Sequence, residues 1–95
     1  MKPEVVLELL ENVAEQLGVR VSYETLSTTL MHGGLCKVKG EYRVIIEKRA
    51  TAEERVVTLA TSLATFDTSE LELSTKVREI LRQYEGSSKT KRRAA

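Results

Sequence analysis

Two side chains of this sequence are suited to nucleophilic or metal chemistry, the only histidine and the only cysteine, His32 and Cys36. A catalytic cysteine needs an imidazole within hydrogen-bonding distance and a third group that orients the ring. A zinc site needs at least two further nitrogen, sulfur or oxygen ligands. The sequence offers neither set, so we interpret His32 as a loop residue and Cys36 as a small buried apolar side chain. We therefore expect no catalytic residue, no metal and no cofactor, and an enzyme that uses this pair is the least favoured hypothesis.

Four basic residues near the C-terminus are the second feature that could do chemistry: Lys89, Lys91, Arg92 and Arg93. They could contact phosphates or another anionic surface, and an accessory protein that binds nucleic acid through them is an alternative hypothesis. Four charges neutralise few phosphates, so such binding would be weak and sensitive to salt. No aromatic residue lies among them to stack on bases. We predict that residues 86–95 form a disordered basic tail, and that deletion of residues 87–95 changes stability little.

The remaining sequence predicts a single α+β domain over residues 1–85. Apolar residues at helical spacing predict a helix over residues 3–17, and Gly18 suits its C-terminal end. Alternation predicts a strand over 19–24. Two short apolar runs, 35–38 and 42–47, flank a turn with Gly40 and predict a β-hairpin.

A capping box starts the second predicted helix, with Thr51 as the N-cap and Glu54 three residues later. We expect this helix to span residues 52–66 and to be the most buried. Its Leu59 and Leu63 share one face and are expected to pack on Val44 and Ile46 of the hairpin, the centre of the predicted core. Ser74 or Thr75 is expected to begin a last helix whose apolar side chains are Val77, Ile80, Leu81 and Tyr84.

The predicted order of elements is therefore α-β-β-β-α-α. Short loops between strands favour an antiparallel three-stranded sheet with the helices packed on one face. One cysteine excludes an internal disulfide and fits a reducing compartment, and no apolar run approaches the roughly 20 residues that cross a bilayer. We expect a cytoplasmic protein without membrane contact.

Residues 33–66 resemble the core of small zincin-type metallopeptidases, the kind that cleave phage repressors. The resemblance lies in the Gly-Gly-Leu-Cys segment at 33–36, the hairpin, and the helix residues Val-Thr-Leu-Ala-Thr-Ser-Leu-Ala-Thr-Phe at 57–66. In that family the helix carries Ala-His-Glu-x-x-His. Aligned on Leu59-Ala60, the two metal-binding histidines fall on Thr61 and Thr65, and the general base falls on Ser62. The resemblance therefore implies a scaffold without its zinc chemistry.

The whole chain is also similar to short bacterial proteins with a Gly-Gly-Leu-Cys segment and a late Val-Arg-Glu helix, which implies a bacterial source. A three-stranded sheet leaves an exposed edge, and such an edge often accepts a strand from a partner or from a second copy. The leading hypothesis is a non-enzymatic interaction or regulatory adaptor module that binds a protein partner or self-associates.

Overall fold

A computed structural model describes residues 1–25, 34–85, 91 and 92. The described elements are α1 (Pro3–Leu17), β1 (Arg20–Glu24), β2 (Gly34–Val38), β3 (Glu41–Glu47), α2 (Ala52–Leu63) and α3 (Thr75–Gln83). The predicted order of elements and the α+β class are confirmed. Among the described residues, no helix combines the length and apolar character needed to cross a membrane.

The strand arrangement differs from the prediction of an antiparallel sheet. The order in the sheet is β1-β3-β2, with β2 antiparallel to β3 but β1 parallel to it. The prediction assumed that each strand pairs with its neighbour in sequence. Instead β3 is the central strand. Its consecutive residues Val44, Ile45 and Ile46 are all buried, which suits the centre of a sheet because a central strand can bury side chains on both faces.

Local sequence signals set the helix ends. Gly18 ends α1 in the left-handed conformation at φ 75°, which glycine adopts without strain. The predicted capping box of α2 is present, since Thr51 Oγ1 accepts from Glu54 N–H and the Glu54 carboxylate accepts from Thr51 N–H. Ser74 caps α3 in the same way at Val77 N–H. The helix α2 ends at Leu63, three residues before the predicted end.

One continuous apolar core joins the helices to the sheet. The four residues expected at its centre, Val44, Ile46, Leu59 and Leu63, are each 0% exposed. Phe66, just after α2, is also buried and meets the Tyr42 ring edge-on at 5.1 Å. The helix α2 contacts β3, β2, α1 and α3, while α1 also contacts β1. The packing of all helices on one face stays a prediction, because the main contact of α3 is with α2.

Candidate functional site

On its outer edge β2 has backbone groups that pair with no other described strand. The hairpin turn has positive φ at Lys39 and Gly40, typical of a two-residue turn closed by a hydrogen bond between its flanking residues. Hydrogen-bonded and non-hydrogen-bonded pairs alternate along an antiparallel ladder. Counting from the closing pair of Val38 and Glu41, the N–H and C=O groups of Leu35 and Lys37 point away from β3.

A stripe of hydroxyl side chains on α2 faces this edge. Thr58, Thr61, Ser62 and Thr65 follow the i, i+3, i+4, i+7 spacing of one helix face. Two of these hydroxyls donate to backbone carbonyls within α2, Thr58 to Glu54 and Ser62 to Thr58. The hydroxyl of Thr65, just after the helix, donates to the Ser62 carbonyl. The stripe is therefore polar in composition but largely satisfied internally, and exposed Thr61 is its outermost member.

Between the edge and the stripe lies an open groove of about 400 Å³. Its walls are Gly34 and Leu35 of β2, the hydroxyl stripe, Val57 and Arg92. Val57 is 50% exposed although it is apolar, so the groove offers apolar surface to a ligand. We refer to this space as the β2–α2 groove.

A second cavity of about 290 Å³ continues along β2 and shares Leu35 and Arg92 with the β2–α2 groove. It adds Cys36, Lys37 and Tyr42. The ammonium of Lys37 lies 5.0 Å from the centre of the Tyr42 ring, and the guanidinium carbon of Arg92 lies 6.0 Å from it. Both distances suit cation–π attraction, so two positive charges lie close to one aromatic ring at this end of the site.

Arg92 is held in place through its backbone. Its N–H donates to the Thr65 carbonyl and its carbonyl accepts from Asp67 N–H, both at 2.7 Å. The neighbouring Lys91 donates from Nζ to the Ala64 carbonyl at 2.8 Å and pairs with Glu85 at 3.3 Å. A cation at this position satisfies a terminal carbonyl of α2 and complements the helix dipole.

The structure brings two of the four predicted anion contacts against the fold. Lys91 uses its ammonium within the fold, and Arg92 forms one wall of the groove. The other predicted anion contacts, Lys89 and Arg93, lie outside the described residues. The sequence interpretation missed these contacts because they depend on where the end of α2 lies, which no local pattern in the tail encodes.

The pair considered first for chemistry is not assembled by the described structure. His32 lies outside the described residues, and Cys36 is half-buried. Because side chains alternate along a strand, Cys36 points to the face of the sheet opposite Leu35 and Lys37. Within residues 1–25, 34–85, 91 and 92, no three His, Cys, Asp or Glu side chains lie together as a metal site would require.

A second polar cluster joins α1, β1 and α2. The Tyr23 hydroxyl donates a hydrogen bond to the Glu11 carboxylate, and the Arg55 guanidinium lies 4.9 Å from the centre of the Tyr23 ring. Burial, the bond to Glu11 and the negative charge of that carboxylate raise the pKa of Tyr23 to about 12, against a smaller opposing effect of Arg55. The guanidinium also donates to the carbonyls of Ala50 and Lys48, so the cluster ties three elements together.

The sequence contained one signal for the groove that we did not use. Four hydroxyl residues at helical spacing indicate a face that is neither core nor fully solvated. The zincin alignment covers Thr61, Ser62 and Thr65, whereas the sequence interpretation assigns no site role to Thr58, Val57, Leu35 or Tyr42.

No protein family matches the chain, and comparisons with curated proteins and with solved structures find no significant match.

Proposed function

We propose that this protein is a non-enzymatic interaction module that binds an extended segment of a partner protein. The segment adds to the outer edge of β2 as a fourth strand and lies in the β2–α2 groove. The observation that supports this is the juxtaposition of outward backbone groups at Leu35 and Lys37 with an open groove beside them.

The energetic basis is the usual one for strand addition. Backbone hydrogen bonds to the edge supply affinity, and pockets for alternate side chains supply selectivity. With five residues, β2 offers an edge of roughly 17 Å at the usual rise of a strand. On its α2 side the added strand would contact the Leu35 and Val57 side chains, which gains apolar burial in addition to backbone pairing.

A segment of another protein suits the site better than a second copy of β2. Pairing of two β2 edges would bring the Lys37 and Arg92 charges of both copies to one interface, and like charges facing each other across strands are destabilising. Self-association, which the sequence also suggested, is therefore the competing outcome of the binding experiment below.

The zincin resemblance fits this proposal as a scaffold that binds without cleaving. Thr61, Ser62 and Thr65, the positions that the resemblance aligns with the metal ligands and the general base, all line the β2–α2 groove. Threonine and serine hydroxyls are poor zinc ligands. A peptide held in this groove would meet hydroxyl and apolar groups rather than a metal-activated water.

Nucleic-acid binding through the basic tail stays the alternative function. Lys91 contributes less to it than the sequence suggested, because its ammonium already contacts Ala64 and Glu85. Arg92 keeps an exposed guanidinium. An enzyme that uses His32 and Cys36 remains the least favoured hypothesis.

The test is selection of a phage-displayed library of random octapeptides on the immobilised full chain, followed by affinity measurement for the selected peptides. We expect these peptides to bind Lys37→Pro, which removes an outward N–H and a charge, more weakly than Lys37→Gln, which removes the charge alone. Thr61→Arg should fill the groove and reduce binding at least tenfold. Gln83→Arg adds the same charge at an exposed position of α3 and should have no effect.

Three results would contradict the proposal. Selected peptides that bind all four variants equally would place their site elsewhere. A failure of selection together with a dimer in sedimentation equilibrium that Lys37→Pro dissociates would assign the edge to self-association. Tight binding of short duplex DNA that weakens steeply with salt and disappears when residues 86–95 are deleted would favour the nucleic-acid alternative.

A further inference from the structure

We infer that the bound segment carries an acidic residue, which Lys37 and Arg92 hold above the Tyr42 ring, and an apolar residue two positions away, which packs on Leu35 and Val57. This inference rests on the proposed function and specifies the chemistry of the partner. The site would then select an extended segment that has an acidic and an apolar residue two positions apart, rather than bind any extended strand.

The charge distribution along the site supports the acidic residue. Among the described residues that line the two cavities there are two cations, Lys37 and Arg92, and no carboxylate. Within the described part of the chain, neither cation forms an ion pair; the pairs there are Arg20–Glu41, Arg49–Glu47 and Lys91–Glu85. Both cations instead lie over the Tyr42 ring. A carboxylate placed against both would meet two cations that no described acidic side chain pairs with.

The pleat of the strand fixes the spacing. Leu35 pairs with Val44, and Lys37 pairs with Tyr42. Since Val44 points into the core and paired residues share a face, the side chains of Leu35 and Lys37 both lie on the α2 side of the sheet. Directly paired residues share a face of the sheet. The residue of the added strand opposite Lys37 and the residue opposite Leu35 therefore face α2 together and are two positions apart, whichever direction the strand runs.

The opposite ends of the site have different polarity. Near Leu35 the walls are the Val57 side chain and threonine side chains whose hydroxyls are largely bonded to the helix. An apolar residue of valine size would bury surface there without leaving a donor or acceptor unpaired. Near Lys37 the lining is cationic and aromatic. This difference places the acidic residue opposite Lys37 and the apolar residue opposite Leu35, whichever direction the strand runs.

The experiment uses blocked heptapeptides in NMR titrations of the uniformly ¹⁵N-labelled full chain. The probes are Ser-Thr-Val-Thr-Asp-Thr-Ser and Ser-Thr-Asp-Thr-Val-Thr-Ser, which cover both strand directions. Each has a version with Asn for Asp, a version with Lys for Asp, and a version with Val and Asp adjacent. For one direction we expect the Asp peptide to bind about three- to tenfold more tightly than the Asn peptide, the size of effect that two exposed ion pairs supply. The Lys peptide and the peptide with adjacent Val and Asp should bind more weakly still.

Variants assign the preference to the two cations. Lys37→Gln combined with Arg92→Gln should bind the Asp and Asn peptides equally. Lys39→Asn removes the same kind of charge from the turn of the same hairpin, at a residue with φ 50° that asparagine tolerates, and should keep the preference. Raising the salt concentration from 50 to 500 mM should reduce the preference, because exposed charges are then screened.

The outcomes separate the two proposals. If all peptides shift the Leu35 and Lys37 amide signals with equal affinity, strand addition stands and the acidic preference is wrong. If the double variant still prefers the Asp peptide to the Asn peptide, another group binds the acidic residue and the inference is overturned. If no peptide perturbs the β2 amides at millimolar concentration while the random library also yields no binder, the proposed function fails and this inference fails with it.

Discussion

The backbone N–H of Arg92 donates a 2.7 Å hydrogen bond to the carbonyl of Thr65, the residue that follows the C-cap of α2. Asp67 returns a bond of the same length to the Arg92 carbonyl. Together they form an isolated parallel bridge between Phe66 and Arg92. Because Thr65 and Arg92 both line the β2–α2 groove, this bridge couples the C-terminal segment to the proposed binding site.

Removal of residues 91–95 should destabilise the protein. The chain would lose both backbone hydrogen bonds of the bridge and the contact of Lys91 with Ala64, which are worth about 1–3 kcal/mol together. For a domain of this size we expect a fall in Tm of at least about 4 °C by circular dichroism. Lys91→Met keeps the backbone bonds and should cause a smaller fall. An unchanged Tm on truncation would contradict this prediction and would indicate that the tail is solvated, as its composition predicts.

The helices could be predicted from sequence because their signals are local. Predicted and observed bounds of α1 coincide at residues 3–17, where an apolar stripe lies between Pro3 and Gly18. The N-caps Thr51 and Ser74 likewise act on N–H groups three residues away. Only the end of α2 differs, because Phe66 turns into the core after the helix has ended, and burial in tertiary structure overrides a continuing helical pattern.

The strand order and the groove could not be predicted in the same way, since they depend on contacts distant in sequence. Nothing local to Arg20–Glu24 indicates that it pairs with β3 rather than β2, or that it runs parallel. The groove requires the edge of β2, the hydroxyl face of α2 and Arg92 to meet. The sequence shows each part separately, as a strand, spaced hydroxyl residues and a basic residue, but it does not show that they contact one another.

Leu63→Ala should lower the urea midpoint far more than Thr61→Ala. Leu63 is 0% exposed within the core, and truncation of a buried leucine usually costs about 2–5 kcal/mol. Thr61 is exposed on the groove wall, where a change to alanine stays within about 0.5 kcal/mol. Equilibrium urea unfolding of both variants measures the difference. A neutral Leu63→Ala with a damaging Thr61→Ala would mean that α2 is rotated from the orientation described.

Stability should fall between about pH 10 and pH 12 through Tyr23. Its pKa is raised from 10.0 to about 12 in the folded protein, so in that window the unfolded chain releases a proton that the folded chain keeps. The unfolded state then binds fewer protons, and linkage makes the free energy of unfolding decrease as pH rises. The stabilisation is complete below pH 10.

Absorbance at 295 nm, which follows tyrosine ionisation, checks this assignment. Tyr23→Phe should lose a titration step near pH 12, and its free energy of unfolding should fall less steeply between pH 10 and 12. Glu11→Gln removes the carboxylate but not the burial, so it should lower the pKa of Tyr23 only part of the way towards its usual value. A titration curve that Tyr23→Phe leaves unchanged near pH 12 would contradict the raised value.

Proline substitution along β2 tests the direction of its backbone groups without any ligand. In the described register the N–H of Lys37 points outward, whereas the N–H of Cys36, paired with Arg43, donates into the ladder. Proline is tolerated at an edge position whose N–H faces solvent, but elsewhere it removes a ladder bond. We expect Cys36→Pro to lower the free energy of unfolding by about 1–3 kcal/mol more than Lys37→Pro, because only Cys36→Pro leaves a ladder partner unsatisfied.

Cys36→Ala and Lys37→Ala are the matched controls, since they remove each side chain but keep its N–H. The comparison of each proline variant with its alanine control in urea unfolding isolates the backbone effect. A larger loss at Lys37 than at Cys36 would mean that the ladder is shifted by one residue. The outward groups would then belong to Cys36 and Val38, whose side chains face away from α2, and a strand added there would not enter the β2–α2 groove in the manner proposed.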